Sequence, residues 1–449
     1  MRTSKKEGKA KLGDLIEMQK GFAFKSYWYC DSGQPIVKVS NFTNDSIDTS
    51  NLVKIPFDIA KKFKKYELKE GDVVIQTVGS WPSNPASVVG KCIRVPREAN
   101  NTLLNQNAVR LKPEGDLDND FLYYILRAPE YSNYIVGTAQ GAASQAAVTL
   151  DAIRAYKFYC LDYNCQRKIA TLLSSYDDLI ENNLRRIKIL EEMAQNLYRE
   201  WFVHFRFPGH EKIHFVDSPL GRIPEGWEMK RLDEIIAGHI GGGWGRDEPK
   251  GKYSEPAWVI RGTDIPNAKH CNVSKIPFRY HTESNLKTRK LKPGDIIFEV
   301  SGGSKDQPLG RALLISSEIF RLFYGYPVIC ASFCKRVQPS YELYAPEMLY
   351  LSFLEGYGSG EIEQFQVQST GISNFRWSDY LEKVYRCVPP RSIQDSFREI
   401  TVPIFSQISM LGLKNHFLRQ TRDLLLPKLI SGEVDVSELD IKVPEEVAI

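Results

Sequence analysis

Residues 166–202 read QRKIATLLSSYDDLIENNLRRIKILEEMAQNLYREWF, and this stretch decides the fold of the 449-residue chain. It contains neither proline nor glycine, and its apolar residues recur at helical spacing. One heptad column contains Ile169, Tyr176, Asn183, Leu190 and Leu197. Because the heptad pattern holds for more than three repeats, it favours coiled-coil packing over a plain surface helix.

A second heptad column lies near the end of the chain. It contains Phe397, Ile404, Leu411, Leu418 and Leu425. Each helix is the obvious partner of the other, so we expect an antiparallel coiled coil of roughly 37 residues, about 55 Å long. Two interpretations of Asn183 remain open: it fixes the register, or it faces solvent. Gly412 lies inside the second helix, where it predicts a kink or a local weakening.

The two halves of the chain follow one plan. Five landmarks occur in the same order in both, 220 to 228 residues apart: Leu12 and Leu232, Lys38 and Arg261, Gly71 and Gly294, Leu122 and Leu349, Gln166 and Gln394. Small loop insertions explain the drift in separation. The preserved order indicates an internal duplication.

Each half begins with about 150 residues of short β-branched runs broken by Gly, Pro, Asn and Asp, which is typical of a mixed sheet with loops. Gly-Asp turns lead into buried strands at 73–77 and 296–300. The predicted fold is α+β: two similar mixed α/β domains, separated by two long helices that form an antiparallel coiled coil with a pseudo-twofold internal repeat. The predicted boundaries are 1–165 for the first domain, 166–203 for the first helix, 204–227 for a linker, 228–392 for the second domain, 393–431 for the second helix and 432–449 for a C-terminal tail.

Composition limits the class of protein. A hydrophobic content of 42% and a charged content of 25% are ordinary globular values. The net charge of +4 excludes an indiscriminate polycationic coat on nucleic acid. The eight cysteines are too scattered for a disulfide scaffold and lack zinc-ribbon spacing. Since neither a signal peptide nor an apolar run of about 18 residues is present, we expect no membrane span and a reduced, cytoplasmic location.

Residues 210–214 spell H-E-x-x-H, the zinc-protease signature. The signature requires a helix, so that both histidines reach one zinc ion and the glutamate acts as general base. However, Pro208 and Gly209 break the chain just before it, and residues 202–207 alternate like a short strand. We therefore predict no metal site here.

Other catalytic motifs are incomplete. Gly90-Lys91-Cys92 lacks the first glycine and the Ser or Thr of a phosphate-binding loop, and residues 240–245 lack the strand–helix setting of a dinucleotide site and indicate a flexible loop. No amino-methyltransferase tetrapeptide is present. A nuclease cluster around Asp295 and Glu299 has serine where lysine is wanted. We expect a non-catalytic chain.

Two similar domains at a fixed separation suit an extended partner, and double-stranded DNA suits them best because its groove faces recur every 34–36 Å or so. Asn and Gln pair with adenine, and Arg and Lys with guanine. Candidate DNA-binding residues in the first half are Gln19, Lys20, Lys25, Lys38, Ser40, Asn41, Ser80, Trp81, Asn84, Asn105, Gln106, Asn107, Gln140, Ser144 and Gln145. Those in the second half are Arg246, Arg261, Thr263, Asp264, Ser304, Lys305, Gln307, Arg311, Gln366, Gln368, Ser369 and Asn374. Lys61, Lys62, Lys64 and Lys65 either contact phosphate or form a solvated helix face.

Several stretches also resemble the specificity subunits of type I restriction–modification systems. They are Gln166-Arg167-Lys168-Ile169-Ala170, residues 192–202 (EMAQNLYREWF), Phe207-Pro208-Gly209-His210, residues 219–227 (PLGRIPEGW) and residues 424–433 (LLLPKLISGE). The resemblance covers about residues 11–440.

The resemblance implies two target-recognition domains, each reading one half of a bipartite, asymmetric DNA site, with the helices setting the unread gap. It also implies two modification (methyltransferase) subunits, which carry S-adenosylmethionine and flip an adenine, and two ATP-dependent restriction subunits. No cofactor is expected in this chain; S-adenosylmethionine, ATP and Mg belong to the partner subunits. The alternative is a protein–protein scaffold that does not read DNA.

Overall fold

The structure is a computed structural model that describes residues 8–43, 46–82, 88–141, 145–219, 221–302, 308–369 and 372–444. The chain divides into two compact units. The first comprises Met1–Asp178 and Arg419–Ile449, and the second comprises Leu179–Leu418. Both unit boundaries fall inside long helices, so each helix contributes to both units.

The first unit combines short strands with helices. Its strands are β1 (Gly8–Lys11), β2 (Ile16–Lys20), β3 (Gln34–Val37), β4 (Val53–Ile55), β5 (Val73–Gln76), β6 (Val78–Gly79), β7 (Cys92–Arg94), β8 (Leu103–Leu104), β9 (Ala108–Pro113), β10 (Ala146–Ala147) and β11 (Lys157–Cys160). Its helices are α1 (Phe57–Ala60), α2 (Asn119–Arg127), α3 (Pro129–Thr138), α4 (Leu150–Ala155) and the first part of α5 (Tyr163–Tyr198). The sheets have the strand orders β2-β9-β5-β7, β4-β3-β8, β1-β11 and β6-β10.

The second unit has the same kinds of element. Its strands are β12 (Phe215–Ser218), β13 (Gly221–Pro224), β14 (Glu228–Arg231), β15 (Ile236–Gly241), β16 (Glu255–Ile260), β17 (Phe278–His281), β18 (Ile296–Glu299), β19 (Ser301–Gly302), β20 (Ala312–Leu314), β21 (Val328–Cys330), β22 (Cys334–Pro339), β23 (Gln366–Ser369), β24 (Ile372–Phe375) and β25 (Tyr385–Val388). Its helices are α6 (Leu232–Ile235), α7 (Ile265–Ala268), α8 (Glu283–Arg289), α9 (Pro346–Gly358), α10 (Trp377–Lys383) and most of α11 (Arg391–Ile430). The sheet orders are β15-β22-β18-β20, β17-β16-β21, β14-β25 and β19-β24-β23, with a separate β12-β13 hairpin.

The internal duplication is confirmed by the strand orders. The four-stranded sheet of each unit is antiparallel and connects its strands in the same sequence. The three-stranded sheet of each unit is mixed, with β3 parallel to β8 and β16 parallel to β21. The predicted α+β class and mixed sheets are therefore correct.

Two glutamines predicted as landmarks have matching roles. Gln166 is buried near the start of α5, accepts a hydrogen bond from the Asp118 backbone N–H at 2.9 Å and donates to the Leu161 carbonyl oxygen at 2.8 Å. Gln394 is buried near the start of α11, accepts from the Ala345 N–H at 3.3 Å and donates to the Pro389 carbonyl oxygen at 3.1 Å. Each glutamine ties a long helix to the loop before a shorter one, which satisfies buried backbone groups.

The core of each unit lies between a sheet and the long helices. In the first unit, Ile169 and Leu173 of α5 share a buried cluster with Leu426 and Leu429 of α11. In the second unit, Ile187 and Ala194 of α5 share one with Phe397, Ile404 and Ile408 of α11. The sheet strands are buried because they are covered by helices, which explains their runs of β-branched residues.

Contacts within the second unit give the direction of the helix pair. Asn183 contacts Asn415, whereas Trp201, further along the chain, contacts Phe397, which precedes Asn415. The two segments therefore run antiparallel, as predicted. The first heptad column is only partly buried, whereas a second column on the same side of the chain is buried throughout: Leu173, Ile180, Ile187 and Ala194 of α5, followed by Trp201 in the turn after the helix. The two columns together form the seam of a coiled coil.

Gly412 does not interrupt α11, which is continuous from Arg391 to Ile430. A β-carbon at Gly412 would lie 2.9 Å from the His270 carbonyl oxygen and 3.2 Å from the Cys271 β-carbon. The same loop contacts α5, where Glu191 Oε1 lies 3.1 Å from His270 Nε2 and 2.9 Å from Lys269 Nζ. Burial raises the pKa of Glu191, but these two partners bring it below its ordinary value. The glycine allows the loop to approach the helix.

The segment after α5 differs from the expectation of a short strand at 202–207. Residues Arg199–Val203 form a π-helical turn that continues the helix, and Phe202 packs on Phe397 with ring centroids 4.8 Å apart. Phe207 and Trp227 are buried and their rings lie 4.9 Å apart. The alternating pattern does not produce a strand here, because burial of these large aromatic rings stabilises the fold more than strand pairing of the segment would.

Among the described residues, no helix is long and apolar enough to cross a membrane.

Candidate nucleic-acid interface

In the first unit, polar loops converge where several strands end. The Phe22 N–H donates to the Leu104 carbonyl oxygen at 3.0 Å, and the Asn105 N–H donates to the Val37 carbonyl oxygen at 3.0 Å. The Thr77 N–H donates to the Asn107 carbonyl oxygen at 2.8 Å. These bonds join segments 20–22, 38–41, 77–81 and 105–107 into one surface, which we call the first loop edge.

Close backbone contacts hold the first loop edge together. A β-carbon at Gly21 would lie 2.0 Å from the Asn105 carbonyl oxygen, so only glycine fits there. The Asn41 Oδ1 accepts a hydrogen bond from the Lys38 backbone N–H at 2.9 Å and closes the turn between them. Lys20, Ser40 and Gln106 are exposed on this surface. They are the side chains that a partner reaches most readily.

The second unit builds the same arrangement from different residues. The Ala331 N–H donates to the Ile260 carbonyl oxygen at 2.8 Å, and the Val300 N–H donates to the Phe333 carbonyl oxygen at 2.9 Å. A β-carbon at Gly242 would lie 2.1 Å from the Cys330 carbonyl oxygen, as at Gly21 in the first unit. We call segments 241–244, 261–264, 300–302 and 331–333 the second loop edge.

Arginines on or beside the second loop edge are held by carboxylates. Arg261 donates to Asp264 through Nε at 2.8 Å and through Nη2 at 2.7 Å, and this hydrogen bonding raises the pKa of Arg261. Asp264 is buried. Arg311 donates to Glu299 through Nε at 2.8 Å and through Nη2 at 2.5 Å. Paired in this way, each guanidinium is fixed in one orientation.

The carboxylates considered for nuclease chemistry are engaged in ion pairs. Asp295 accepts from Arg336 at 2.7 Å, and Glu299 is held by Arg311. In the first unit Asp72 lies 3.4 Å from Arg110, the counterpart of Arg336 on β9. In the part of the chain that the structure describes, no group of three or more His, Cys, Asp or Glu side chains is arranged to hold a metal ion.

The H-E-x-x-H stretch is not a helix. His210–Lys212 form a single 3-10 turn after Gly209, which has a φ of 85°, and strand β12 begins at Phe215. His210 Nδ1 lies 2.8 Å from the Phe207 carbonyl oxygen. The two histidines therefore do not share the helical face that the zinc signature requires.

The structure brings many of the predicted DNA-binding residues together. On the first loop edge lie Lys20, Lys38, Ser40, Asn41, Ser80, Trp81, Asn105, Gln106 and Asn107. On the second lie Arg261, Thr263 and Asp264. Beside these edges, Gln140 bridges to Ala147 next to β6, and Asn374 pairs with Ser301.

Other predicted residues lie apart or serve local contacts. Gln19 donates to the Lys20 carbonyl oxygen, and Lys25 lies over the rings of Tyr27 and Trp28. Arg246 lies 4.7 Å from the Tyr253 ring centroid. Gln366 accepts from the Leu309 N–H, while Gln145 and Gln368 are exposed. Asn84, Ser144, Ser304, Lys305 and Gln307, and the side chain of Ser369, lie outside the described residues.

Trp244, Ser332 and Phe333 are not among the residues predicted from the sequence. They line a cleft of about 510 Å³ on the second loop edge together with Arg261 and Thr263. Residues 240–245 are not simply a flexible loop, since β15 extends to Gly241 and Gly242 packs against β21. The internal repeat could have identified Ser332 and Phe333, because the turn 331–333 is the counterpart of the predicted residues Asn105–Asn107.

Fold and loop edges together define a class: internally duplicated chains in which each repeat presents one loop edge and contributes to a pair of long antiparallel helices. Comparisons with known proteins show a similarity to one family. Residues 5–192 match the family model described as the type I restriction modification DNA specificity domain.

Relatives extend the match beyond the first half. The chain is 28% identical over 343 residues to the type I restriction enzyme MjaIX specificity subunit of Methanocaldococcus jannaschii, covering 75% of this chain and 73% of that one. It is 21% identical over 449 residues to the HindI specificity subunit of Haemophilus influenzae, covering 86% and 90%. The chain is therefore similar to the specificity subunits of type I restriction–modification systems over most of its length.

A solved structure has a similar fold. The crystal structure of a type I restriction–modification S subunit from M. genitalium aligns over 95% of this chain and 96% of that chain, with a TM-score of 0.52 and 15% identity. At that identity the likeness concerns the fold alone.

Proposed function

We propose that this chain is the DNA-reading subunit of a type I restriction–modification complex. Each loop edge reads one half of a bipartite, asymmetric DNA site, and the helix pair sets the length of the unread gap. The observation that carries the proposal is the pair of loop edges, which share one backbone arrangement but carry different side chains. A shared scaffold with different surfaces is what a reader of two unlike half-sites needs.

The proposed contacts to DNA are made by the polar residues predicted from the sequence, and we rank them by the exposure of the side chain and by the hydrogen bonds it already makes. Lys20, Ser40, Gln106 and Thr263 are exposed on the loop edges and are the first candidates for base or phosphate contacts. Asp264 is buried against Arg261, so its role is to orient that arginine toward the partner.

The proposed partners are double-stranded DNA, two modification subunits that supply S-adenosylmethionine and the methyl-transfer site, and two ATP- and Mg-dependent restriction subunits. In this proposal the chain itself catalyses no step. All eight cysteines lie in the described part of the chain and are thiols rather than halves of disulfides, which supports a reduced, cytoplasmic location.

A methylome comparison tests the proposal. Deleting the gene should remove adenine methylation at one bipartite motif without loss of the modification subunit, and the wild-type gene should restore it. The variant Lys20→Ala with Gln106→Ala should weaken or relax methylation at one half-site. Lys157→Ala, an exposed lysine on β11 away from the loop edge, is the matched control and should leave the motif unchanged.

The alternative of a protein–protein scaffold predicts a different result. If the chain does not read DNA, the methylated motif will be the same with the wild-type chain and with the loop-edge variant. Binding of duplex DNA by the assembled complex will then lack the steep salt dependence that phosphate contacts produce. Persistent methylation in the deletion strain would contradict the main proposal.

A further inference from the structure

One turn occupies the same place on both loop edges but differs in chemistry. In the first unit it is Asn105-Gln106-Asn107, and in the second it is Ala331-Ser332-Phe333. Each turn follows a strand of the mixed sheet, donates its first N–H to the neighbouring parallel strand and accepts at its third carbonyl oxygen. The first turn presents amides, whereas the second presents an aromatic ring. The two turns therefore suit different base edges.

The second turn opens into an apolar cleft. Phe333 is 55% exposed and Trp244 is 41% exposed, and both line the cleft with Ala331 and Gly302. Large aromatic rings exposed together in a concave surface mark a binding site rather than ordinary surface. The cleft volume of about 510 Å³ admits a small apolar group on the edge of a larger partner.

The rings are held in place before any partner binds. Arg279 donates through Nε to the Trp244 carbonyl oxygen at 2.6 Å, and its guanidinium lies 4.2 Å from the Trp244 ring centroid. The Phe333 carbonyl oxygen accepts from the N–H groups of Val300 and Ser301 at 2.9 and 3.2 Å. Such preorganisation lowers the entropy lost on binding.

The charges around the cleft fit a nucleic acid. Glu299 also lines the cleft, but Arg311 neutralises it through two hydrogen bonds. Arg261 stands at the cleft, and in the described part of the chain its Nη1 has no hydrogen-bond partner, since Asp264 and the Lys275 carbonyl oxygen take Nε and Nη2. The site thus combines an apolar surface with an oriented cation.

We propose that the cleft formed by Phe333 and Trp244 reads the 5-methyl group of a thymine in one half-site, with Arg261 contacting the same strand. This inference rests on the proposed function. In the major groove the methyl group is the apolar feature that distinguishes thymine, and aromatic side chains contact it directly. The amides of Asn105–Asn107 instead suit the hydrogen-bonding edge of adenine in the other half-site.

Replacing thymine by deoxyuridine tests the proposal, because deoxyuridine lacks only the methyl group. The complex of this chain with its modification subunits is titrated with duplexes carrying the methylated motif, each with one thymine replaced. We expect one replacement to weaken binding about fourfold, the equivalent of about 0.8 kcal/mol for one buried methyl group. With Phe333→Ala, the same replacement should have no further effect.

Two variants serve as controls. Phe333→Leu keeps an apolar side chain in the cleft and should retain the sensitivity to deoxyuridine. Tyr324→Ala removes another exposed aromatic ring of the second unit that does not line the cleft, and it should behave as wild type.

Two outcomes would overturn the inference while leaving the proposed function intact: specific binding that no deoxyuridine replacement weakens, or a penalty of equal size with Phe333→Ala. An absence of any sequence-specific binding would instead overturn the proposed function itself.

Discussion

Asn183 of α5 donates an amide hydrogen bond to Asn415 of α11 at 2.8 Å, and Asn415 donates in turn to the Ile180 carbonyl oxygen at 3.3 Å. Asn183 is 8% exposed and Asn415 is fully buried. Of the two interpretations open from the sequence, the structure supports a role in register over a solvated position. A buried amide pair is satisfied only when the two helices align at this level, so it disfavours shifted alignments.

Because the two amides bond to each other, we expect a single substitution to destabilise the chain more than the double substitution does. Asn183→Leu should lower the free energy of unfolding by about 1–3 kcal/mol, because it leaves the buried Asn415 Oδ1 without the donor that the Asn183 amide supplies. Asn183→Leu combined with Asn415→Leu should recover most of that loss, since two apolar side chains replace two polar ones. Urea unfolding of the chain measures both.

Asn182 provides the matched control for this pair, because it is the adjacent residue on α5 but is exposed. Asn182→Leu should change the unfolding free energy by less than about 0.5 kcal/mol. Equal losses for the single and double variants would show that the amide pair does not act as a unit.

At the scale of elements, α11 contains a glycine, Gly412, that is needed for the close packing of a neighbouring loop and not for the helix itself. Alanine is favoured over glycine within a helix by up to about 1 kcal/mol. At position 412, however, the new β-carbon would lie 2.9 Å from the His270 carbonyl oxygen, which is backbone and cannot turn away. Helix propensity and tertiary packing therefore oppose each other at this residue.

We predict that Gly412→Ala destabilises the chain by about 1–3 kcal/mol, the usual cost of overpacking. Gly137→Ala in α3 is the control, because a β-carbon there meets no atom within 4 Å and the residue is exposed. That variant should be neutral or more stable by a few tenths of a kcal/mol. Thermal unfolding of both variants checks the prediction, and a stabilising Gly412→Ala would contradict it.

At the scale of the whole molecule, the long helices connect the repeated architecture to the proposed function. If the helix pair sets the gap, duplicating residues 176–182 in α5 together with 416–422 in α11 adds one heptad to each helix. The added length of about 10 Å corresponds to about three base pairs at about 3.4 Å each. The methylome of cells with this variant should show the same two half-sites with a gap longer by about three base pairs.

A duplication in α5 alone is the control, since it adds length to one helix and not to its partner. That variant should lose stability rather than change the gap. An unchanged gap in the double-insertion variant would show that the helix pair does not set the spacing.

Much of the fold was predictable from local signals. Heptad columns identified both long helices, because helical periodicity depends only on neighbouring residues. The Lys69–Asp72 and Lys292–Asp295 turns were predictable as repeats, and in each the aspartate carboxylate accepts from the lysine backbone N–H, at 2.8 and 2.7 Å. Gln166 and Gln394 were recognisable as landmarks, although the sequence did not reveal what they bind.

The sequence by itself determined the duplication and the two long helices, because the order of landmarks and the heptad periodicity are visible in it, and its motifs indicated the similarity to specificity subunits. Only the tertiary structure decided which polar residues meet. It buried Asp264 against Arg261, matched Asn183 with Asn415, and placed Trp244 and Phe333 in one cleft from segments far apart in the chain. Such contacts depend on long-range packing, and no local pattern records which loops a folded sheet will bring together.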